Sequence, residues 1–387
     1  MGPLAGVKVI EIAGLGAAPY GCMMLADMGA DVVRIERVGG RADTPEHSPL
    51  LRNRRSIDLD LKQPRGRDIT LAMVDKADVL IEAFRPGVAE RLGIGPEACF
   101  ARNARLVYAR MTGWGQTGPL AQTAGHDLNY IGLTGLLHQI GPTGGKPVVP
   151  LNVIGDFGGG GLLLAFGVVC ALWEARHSGR GQIVDAAMID GALSFMAMSF
   201  GFREQGQFAD RTGSHMLGGG AHYYETYETQ DGRHLAVAPI EPQFYREFLE
   251  IMGLDGGRWR DAGYPSHSAR TVESDWPTLK RELGQIFKTK TRDAWCALFA
   301  GSDACVTPVL TLEEAALHPH NCARNAFIEV GGVQQNAPAP RFSRTAAAHP
   351  TAPPKSGSDA HEVLADWGVD LELLSKFGGR DDAISDV

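Results

Sequence analysis

Along the first half of the chain, apolar residues gather in short runs separated by stretches of helical spacing. Residues 7–12, 31–35, 79–81 and 106–110 read as strands, and residues 20–28 and 67–77 as helices between them. Strands alternating with helices predict βαβ units and a parallel sheet, hence an α/β fold. Two further helices are predicted over 162–176 and 188–205. Near Gly206 the texture changes: residues 223–229 and 233–239 are β-like runs joined across Gln230-Asp231-Gly232, a hairpin signal. Helical spacing then recurs at 243–252, 276–287 and 292–299, which describes a smaller α+β unit. Residues 337–358, rich in Pro, Ala and Ser, read as an extended connection, and no internal repeat stands out.

The longest uncharged apolar stretch, 158–173, stops at Glu174. It falls short of the ~20 residues needed to span a bilayer and so reads as a buried helix, with no membrane partner expected. A chain of 387 residues that is 44% hydrophobic and 21% charged has ample core for two or three structural units. No secretory leader is visible at Met1-Gly2-Pro3-Leu4, and Ser385-Asp386-Val387 is no peroxisomal address, so the expected location is cytoplasmic. The six cysteines are scattered without a C-x-x-C pair and are expected to be reduced, buried thiols. His318 and His320 are the only close histidines and no H-E-x-x-H occurs, so no metal is expected.

The net charge of −8 argues against nucleic acid as a partner. Its distribution says more. Residues 359–387 hold eight carboxylates against Lys376 and Arg380, whereas residues 34–67 hold nine Arg/Lys against five Asp/Glu. One basic segment in an acidic chain suggests a small polyanionic ligand.

Residues 7–19 imitate a dinucleotide fingerprint, with Glu36 near the distance expected for ribose binding. The third glycine is replaced by Pro19, and Glu36 is bracketed by Arg34 and Arg37, so NAD is not expected. Asp156-Phe157-Gly158 matches a kinase triplet, but the chain has no H-R-D loop. The same aspartate opens the run Gly155-Asp156-Phe157-Gly158-Gly159-Gly160-Gly161 at the start of a predicted helix. A carboxylate beside free helix N–H groups could serve proton transfer or nucleophilic attack next to an oxyanion. Alternatively, Asp156 is an N-cap and the glycines make room for packing.

Several longer motifs occur in one order: residues 7–37, the stretch Arg52-Asn53-Arg54-Arg55-Ser56-Ile57-Asp58-Leu59-Asp60-Leu61-Lys62, residues 78–87, Gly125-His126-Asp127-Leu128-Asn129-Tyr130, and Gly179-Arg180-Gly181-Gln182. Together they resemble the family III coenzyme A transferases, and most of all their 2-methylacyl-CoA racemase branch. The resemblance runs from Leu4 to about Trp367. It implies an interlocked homodimer of chains with a large Rossmann-like domain (1–190, completed by about 330–387). A connection (191–222), a small α+β domain (223–310) and a return linker (311–330) would make up the rest. The active site would lie between one subunit's large domain and the partner's small domain.

The resemblance also implies site residues. Arg37, Leu59, Asp60, Leu61, Lys62, Ala83, Phe84, Arg85 and Arg91 match positions that hold the nucleotide of coenzyme A. Arginine forks suit its phosphates, and apolar and backbone contacts suit its adenine. Gly125, Asp127, Leu128, Asn129 and Tyr130 match further substrate contacts. His126 and Asp156 match the two acid/base groups of the racemases, and Glu241 the carboxylate that orients the histidine. The implied activity is cofactor-independent interconversion of (R)- and (S)-2-methylacyl-CoA through an enolate, an isomerase reaction on an acyl-CoA thioester. The family's transferases instead use the matching aspartate as a nucleophile that forms an aspartyl-CoA thioester. A non-catalytic acyl-CoA-binding protein is a third reading. Racemisation needs Asp156 protonated, which burial and a carboxylate neighbour favour and a helix N-terminus opposes. Met188, Met196, Met198 and Met216 are candidate acyl linings, with plain core the alternative.

Overall fold

Six of the short runs pair, in the computed structural model, into one sheet. Strands β1 (Lys8–Ile12), β2 (Asp31–Glu36), β3 (Arg54–Asp58), β4 (Val79–Glu82), β5 (Val107–Thr112) and β6 (Ile183–Ala187) lie in the order β3-β2-β1-β4-β5-β6. Every neighbouring pair is parallel. This is the doubly wound order, and it reverses between β1 and β4, where ligands of such sheets bind beyond the carboxyl ends of the strands. The structure describes residues 2–40, 47–206, 210–254, 256–262 and 275–369. Most of the acidic tail and Arg41 of the basic segment lie outside them.

The strands are buried on both faces because their side chains alternate between two cores. Ile10, Val33, Ile57, Leu80 and Tyr108 point one way, onto helix Pro64–Val74 and the returning helix Ala360–Asp366. Val9, Val32, Val79, Val107 and Ala109 point the other way, onto α1 (Ala17–Asp27) and the long helix that carries Leu164 and Val168. Strand β3 was not legible as a strand because its sequence, Arg-Arg-Ser-Ile-Asp, is polar. Its charges are satisfied internally, Arg54 by Glu11 and Arg55 by Asp31. Arg52 pairs with Asp27 at 2.5 Å and donates to Gln335 and Asn336, fastening the returning chain to the sheet. That returning chain includes a hairpin, Phe327–Val330 with Val333–Asn336, turned by Gly331 and Gly332 at φ 58° and 77°, the backbone a type I′ turn requires.

Two compact units share the chain. The first contains the described residues up to Thr134, Leu151–Met196 and those from Cys322 onward; the second contains Gly135–Pro150 and Ala197–Asn321. In the first unit, Asp127–Leu133 forms α2, Leu163–Ser178 forms α3 and Met188–Ser194 forms α4. The single helix expected over 188–205 is therefore two helices, the second being Ala197–Glu204, with the break where the chain passes from one unit to the other.

The helix expected to begin at 162 begins earlier: a π-helical segment, Val153–Leu162, runs directly into α3. Val153–Ser178 is long and apolar enough to cross a membrane by length and composition. The expectation that it is buried fails on one flank. Leu164, Ala165, Val168 and Ala171 cover the sheet, whereas Phe166, Val169 and Trp173 are exposed. The cysteines also depart from expectation. All six are free thiols, but only Cys22 and Cys99 are buried, and Cys170, Cys305 and Cys322 are exposed.

The second unit is built on an antiparallel sheet of β7 (Glu225–Glu228), β8 (His234–Val237) and β9 (Val306–Val309). Its hairpin turns where expected, with Thr229 N–H donating to Arg233 O at 2.8 Å and Gly232 N–H to Thr229 O at 3.0 Å. Helices Pro242–Met252, Trp276–Phe287 and Arg292–Phe299 pack Phe248, Leu283, Phe287 and Trp295 onto it.

Candidate active site

Asp156 sits in the first turn of the π-helical segment, beside the switch point of the sheet. The chain enters this turn through Leu151, held at φ 61°, and Asn152, whose Nδ2 donates to Asp156 Oδ2 at 2.9 Å. The loop that leaves β1 turns at Gly16, φ 64°; a Cβ there would lie 3.4 Å from Asp156 Oδ2, so the loop backbone borders the carboxyl. The ring of the next residue, Phe157, packs on Tyr20 of α1 at 4.8 Å.

The glycines after Asp156 do not clear space for a ligand. Gly159, Gly160 and Gly161 are buried, and a side chain on any of them would strike α1 or α4. A Cβ on Gly159 would sit 2.6 Å from Ala192 N, and one on Gly161 would strike the carbonyl of Ala17. The run is a packing seam that lets three helical backbones touch.

Two of the amide groups near the start of the segment are also occupied. Gly155 N–H and Asp156 N–H both donate to Asp127 Oδ2, at 2.5 and 2.8 Å. The expectation that they are free to hold a developing oxyanion is therefore corrected. Asp127 is buried, so its side chain serves this bond rather than a solvent-facing substrate contact.

His126, the N-cap of α2, is exposed, and its N–H donates to Asn129 Oδ1 at 3.0 Å. The turn that carries it is pinned from below. The Tyr130 hydroxyl donates to Gly125 O, and the Tyr130 ring meets Trp114 edge-on at 4.7 Å. Gln122 Nε2 donates to Pro86 O at 3.0 Å, tying this loop to the exit of β4. His126 and Asp156 are close enough that their charges interact. Burial pushes the Asp156 carboxyl above the usual carboxylate range, and the negative charge of Asp127 adds to the rise. The Asn152 hydrogen bond and the positive charge of His126 oppose it without reversing it.

The residues expected to hold a nucleotide follow three strands at the carboxyl edge, β3 and β2 on one side of β1 and β4 on the other. Arg37 follows β2; Leu59, Asp60, Leu61 and Lys62 follow β3; Ala83, Phe84 and Arg85 follow β4; and Arg91 ends the short helix Val88–Arg91. Arg37, Lys62, Arg85 and Arg91 are exposed cations, whereas the Leu59 side chain is core. The basic segment as a whole is not a ligand surface. Arg34 and Arg54 are buried against Glu11, Arg52 against Asp27, and Arg55 pairs with Asp31 and Asp366. Of the other expected contacts, Leu128 and Asn129 are exposed, Gly125 is half-buried and Tyr130 is buried. Glu241 belongs to the second unit, where it is the exposed N-cap of helix Pro242–Met252. Met188 is half-buried against the sheet core, Met196 is buried, Met198 is exposed, and Met216 packs on the core of the second unit.

Sequence reasoning missed Asn152 and the backbone role of Asp127. Asn152 stands four residues before Asp156, the spacing at which helical side chains meet, and that signal was available. The Asp127 contact joins residues 28 apart and left no local trace.

This sheet, with a histidine near an aspartate whose pKa is raised, matches the model of "CoA-transferase family III" over residues 4–360, and the chain belongs to that family. It is 43% identical over 374 residues to mouse (Mus musculus) alpha-methylacyl-CoA racemase, covering 96% of this chain and 95% of that protein. The human (Homo sapiens) alpha-methylacyl-CoA racemase is 41% identical over 378 residues, with 96% and 95% covered. The crystal structure of a CaiB/BaiF family protein from Brucella suis superposes with a TM-score of 0.80 at 26% identity, covering 95% of this chain and 99% of that one. Within the family, these similarities mark the chain as an isomerase.

Proposed function

We propose that the chain interconverts the two C2 configurations of a 2-methylacyl-CoA thioester, with His126 and Asp156 as the two acid/base groups. The observation that carries the reading is their pairing in one unit, with the Asp156 carboxyl held above its ordinary range by burial. A C2–H next to a thioester is weakly acidic, so its removal needs a base working near neutral pH. Neutral His126 takes the proton from one face, giving an enolate; protonated Asp156 returns a proton to the other face. In the reverse direction the roles exchange, and no cofactor enters the proton balance. The exposed cations Arg37, Lys62, Arg85 and Arg91 would hold the phosphates of coenzyme A. A homodimer, in which Glu241 of the partner subunit orients His126, agrees with the exposed apolar flank of α3 at Phe166, Val169 and Trp173, which needs cover.

Incubation of (R)- or (S)-2-methylacyl-CoA with the protein in D2O is expected to place deuterium at C2 and scramble its configuration. His126→Ala and Asp156→Ala are each expected to lower turnover by about a hundredfold or more while retaining thioester binding. Near-normal turnover by either variant would contradict the two-base scheme. No exchange, with hydroxylamine instead releasing CoA from an Asp156 thioester and leaving a hydroxamate, would make the protein a CoA transferase.

A further inference from the structure

Asp127 links the two halves of the proposed acid/base pair, one through the chain and one through its side chain. It follows His126 directly, and its Oδ2 accepts the N–H groups of Gly155, at 2.5 Å, and of Asp156 itself, at 2.8 Å. The carboxylate is 5% exposed, and its other oxygen, Oδ1, is buried with no hydrogen bond from the described residues. Gly155 is the residue that lets it approach, because a Cβ there would lie 2.7 Å from Asp127 Oδ2. We propose that Asp127 is a positioning residue: its carboxylate fixes the spacing between the His126 and Asp156 turns and places a negative charge beside the Asp156 carboxyl. The proposal rests on the racemase reading.

The two actions are physically separate. As a tether, Asp127 satisfies amides that would otherwise be left unpaired at the start of the π-helical segment, and so holds the backbone of Asp156 against α2. As a charge, it makes a second negative group nearby unfavourable, which favours a proton on Asp156. The other groups around Asp156 are few. From α2 and its cap come His126, whose charge acts in the opposite sense, and Tyr130, which interacts with Asp156, Asp127 and Arg85. Its own turn contributes the neutral donor Asn152. From α1, Tyr20 packs on Phe157, and α4, seated on the segment through Gly191 and Ala192, carries the exposed Asp190.

Two variants separate tether from charge. In wild type a single oxygen accepts both N–H bonds, so the amide oxygen of Asp127→Asn can accept them too, with its NH2 placed where Oδ1 has no partner. Asp127→Asn therefore keeps the tether and removes the charge, whereas Asp127→Ala removes both. The measurement is the pH profile of racemisation for wild type and both variants, with thermal unfolding alongside. Asp127→Asn is expected to keep more of kcat than Asp127→Ala, and in the direction in which Asp156 takes the proton from C2 its acid limb of kcat/KM is displaced to lower pH, because loss of a like charge lowers the pKa of Asp156. Asp127→Ala is expected to lose about ten- to a hundredfold in kcat with KM nearly unchanged, the cost of a misplaced acid/base group.

An acid limb of Asp127→Asn that coincides with the wild-type limb overturns the proposal, whatever Asp127→Ala does. So does wild-type kcat in Asp127→Ala. If Asp127→Ala fails to fold, the Asp127→Asn profile decides alone. A wild-type protein that washes no deuterium into C2 overturns the racemase reading and this inference with it, whereas wild-type exchange with an unmoved Asp127→Asn profile overturns the inference alone.

Discussion

Gly159→Ala tests whether the glycine run after Asp156 is a packing seam or a ligand cavity. A Cβ at this position would meet Ala192 N at 2.6 Å and Gly191 C at 3.0 Å, both backbone atoms of a neighbouring helix that cannot swing aside. One of the two helices must move by several tenths of an ångström, and overpacking of that kind costs about 1–3 kcal/mol. Alanine is otherwise the better helix residue by about 0.5–1 kcal/mol, which offsets part of the strain. The net loss is about 1–2 kcal/mol, a fall in Tm of about 2–8 °C for a domain of this size. Gly201→Ala provides the control: it lies in helix Ala197–Glu204 with nothing within 4 Å of the added methyl, so it should stabilise by about 0.5–1 kcal/mol. Asp156 is three residues from the strained position, so kcat should fall in Gly159→Ala more than KM rises. A Gly159→Ala protein as stable as wild type but with a raised KM would refute the seam.

Two further outcomes follow from buried polar groups. Arg52 is fully buried against Asp27, so Arg52→Ala leaves a buried carboxylate short of its main partner and should cost about 3–5 kcal/mol in urea unfolding, part of it recovered in the Arg52→Ala/Asp27→Ala double variant. His222 is buried in the second unit, where the Tyr245 hydroxyl donates to Trp259 O and so accepts from His222 Nε2–H; burial lowers the histidine pKa to about 3. Its folded pKa lies below the unfolded value, so its stability contribution is complete above about pH 6.5 and is lost as pH falls towards 3, by up to about 1.4 kcal/mol per pH unit. Unfolding of wild type and His222→Gln between pH 7 and 5 should show this slope in the wild type alone.

The central strands were legible because β-branched runs such as Val79–Glu82 have one reading, and the helices Trp276–Phe287 and Arg292–Phe299 carry strong amphipathic spacing. Strand β3 was hidden because Arg54 is stabilised by Glu11, 43 residues away, and no local pattern announces such a partner. The basic segment misled for the same reason: charge counted along the chain cannot reveal which arginines face a buried carboxylate. The hairpin at Gly331-Gly332 did have a local signal, two glycines between valines, and could have been read. His126 and Asp156 were readable only through the order of long motifs, since Asp156 alone reads as well as a cap and a lone histidine is more often structural than catalytic. The capping reading of Asp156 was wrong in an instructive way, because the residue that caps the π-helical segment is Asp127.

That exchange of roles bears on the chemistry. A helix start stabilises an anion through its free N–H groups and its dipole, and an aspartate placed there would be held ionised. Here two of those N–H groups, of Gly155 and Asp156, are bonded to Asp127. The Asp156 carboxyl, in the same first turn, is left with burial and a like-charged neighbour on one side and the Asn152 donor and His126 on the other, and the balance raises its pKa. An ionised aspartate suits a nucleophile, and a protonated one suits the return of a proton to carbon. On the racemase reading, the side chain that takes two N–H groups at the helix start is also a charge that helps raise the pKa of the neighbouring carboxyl.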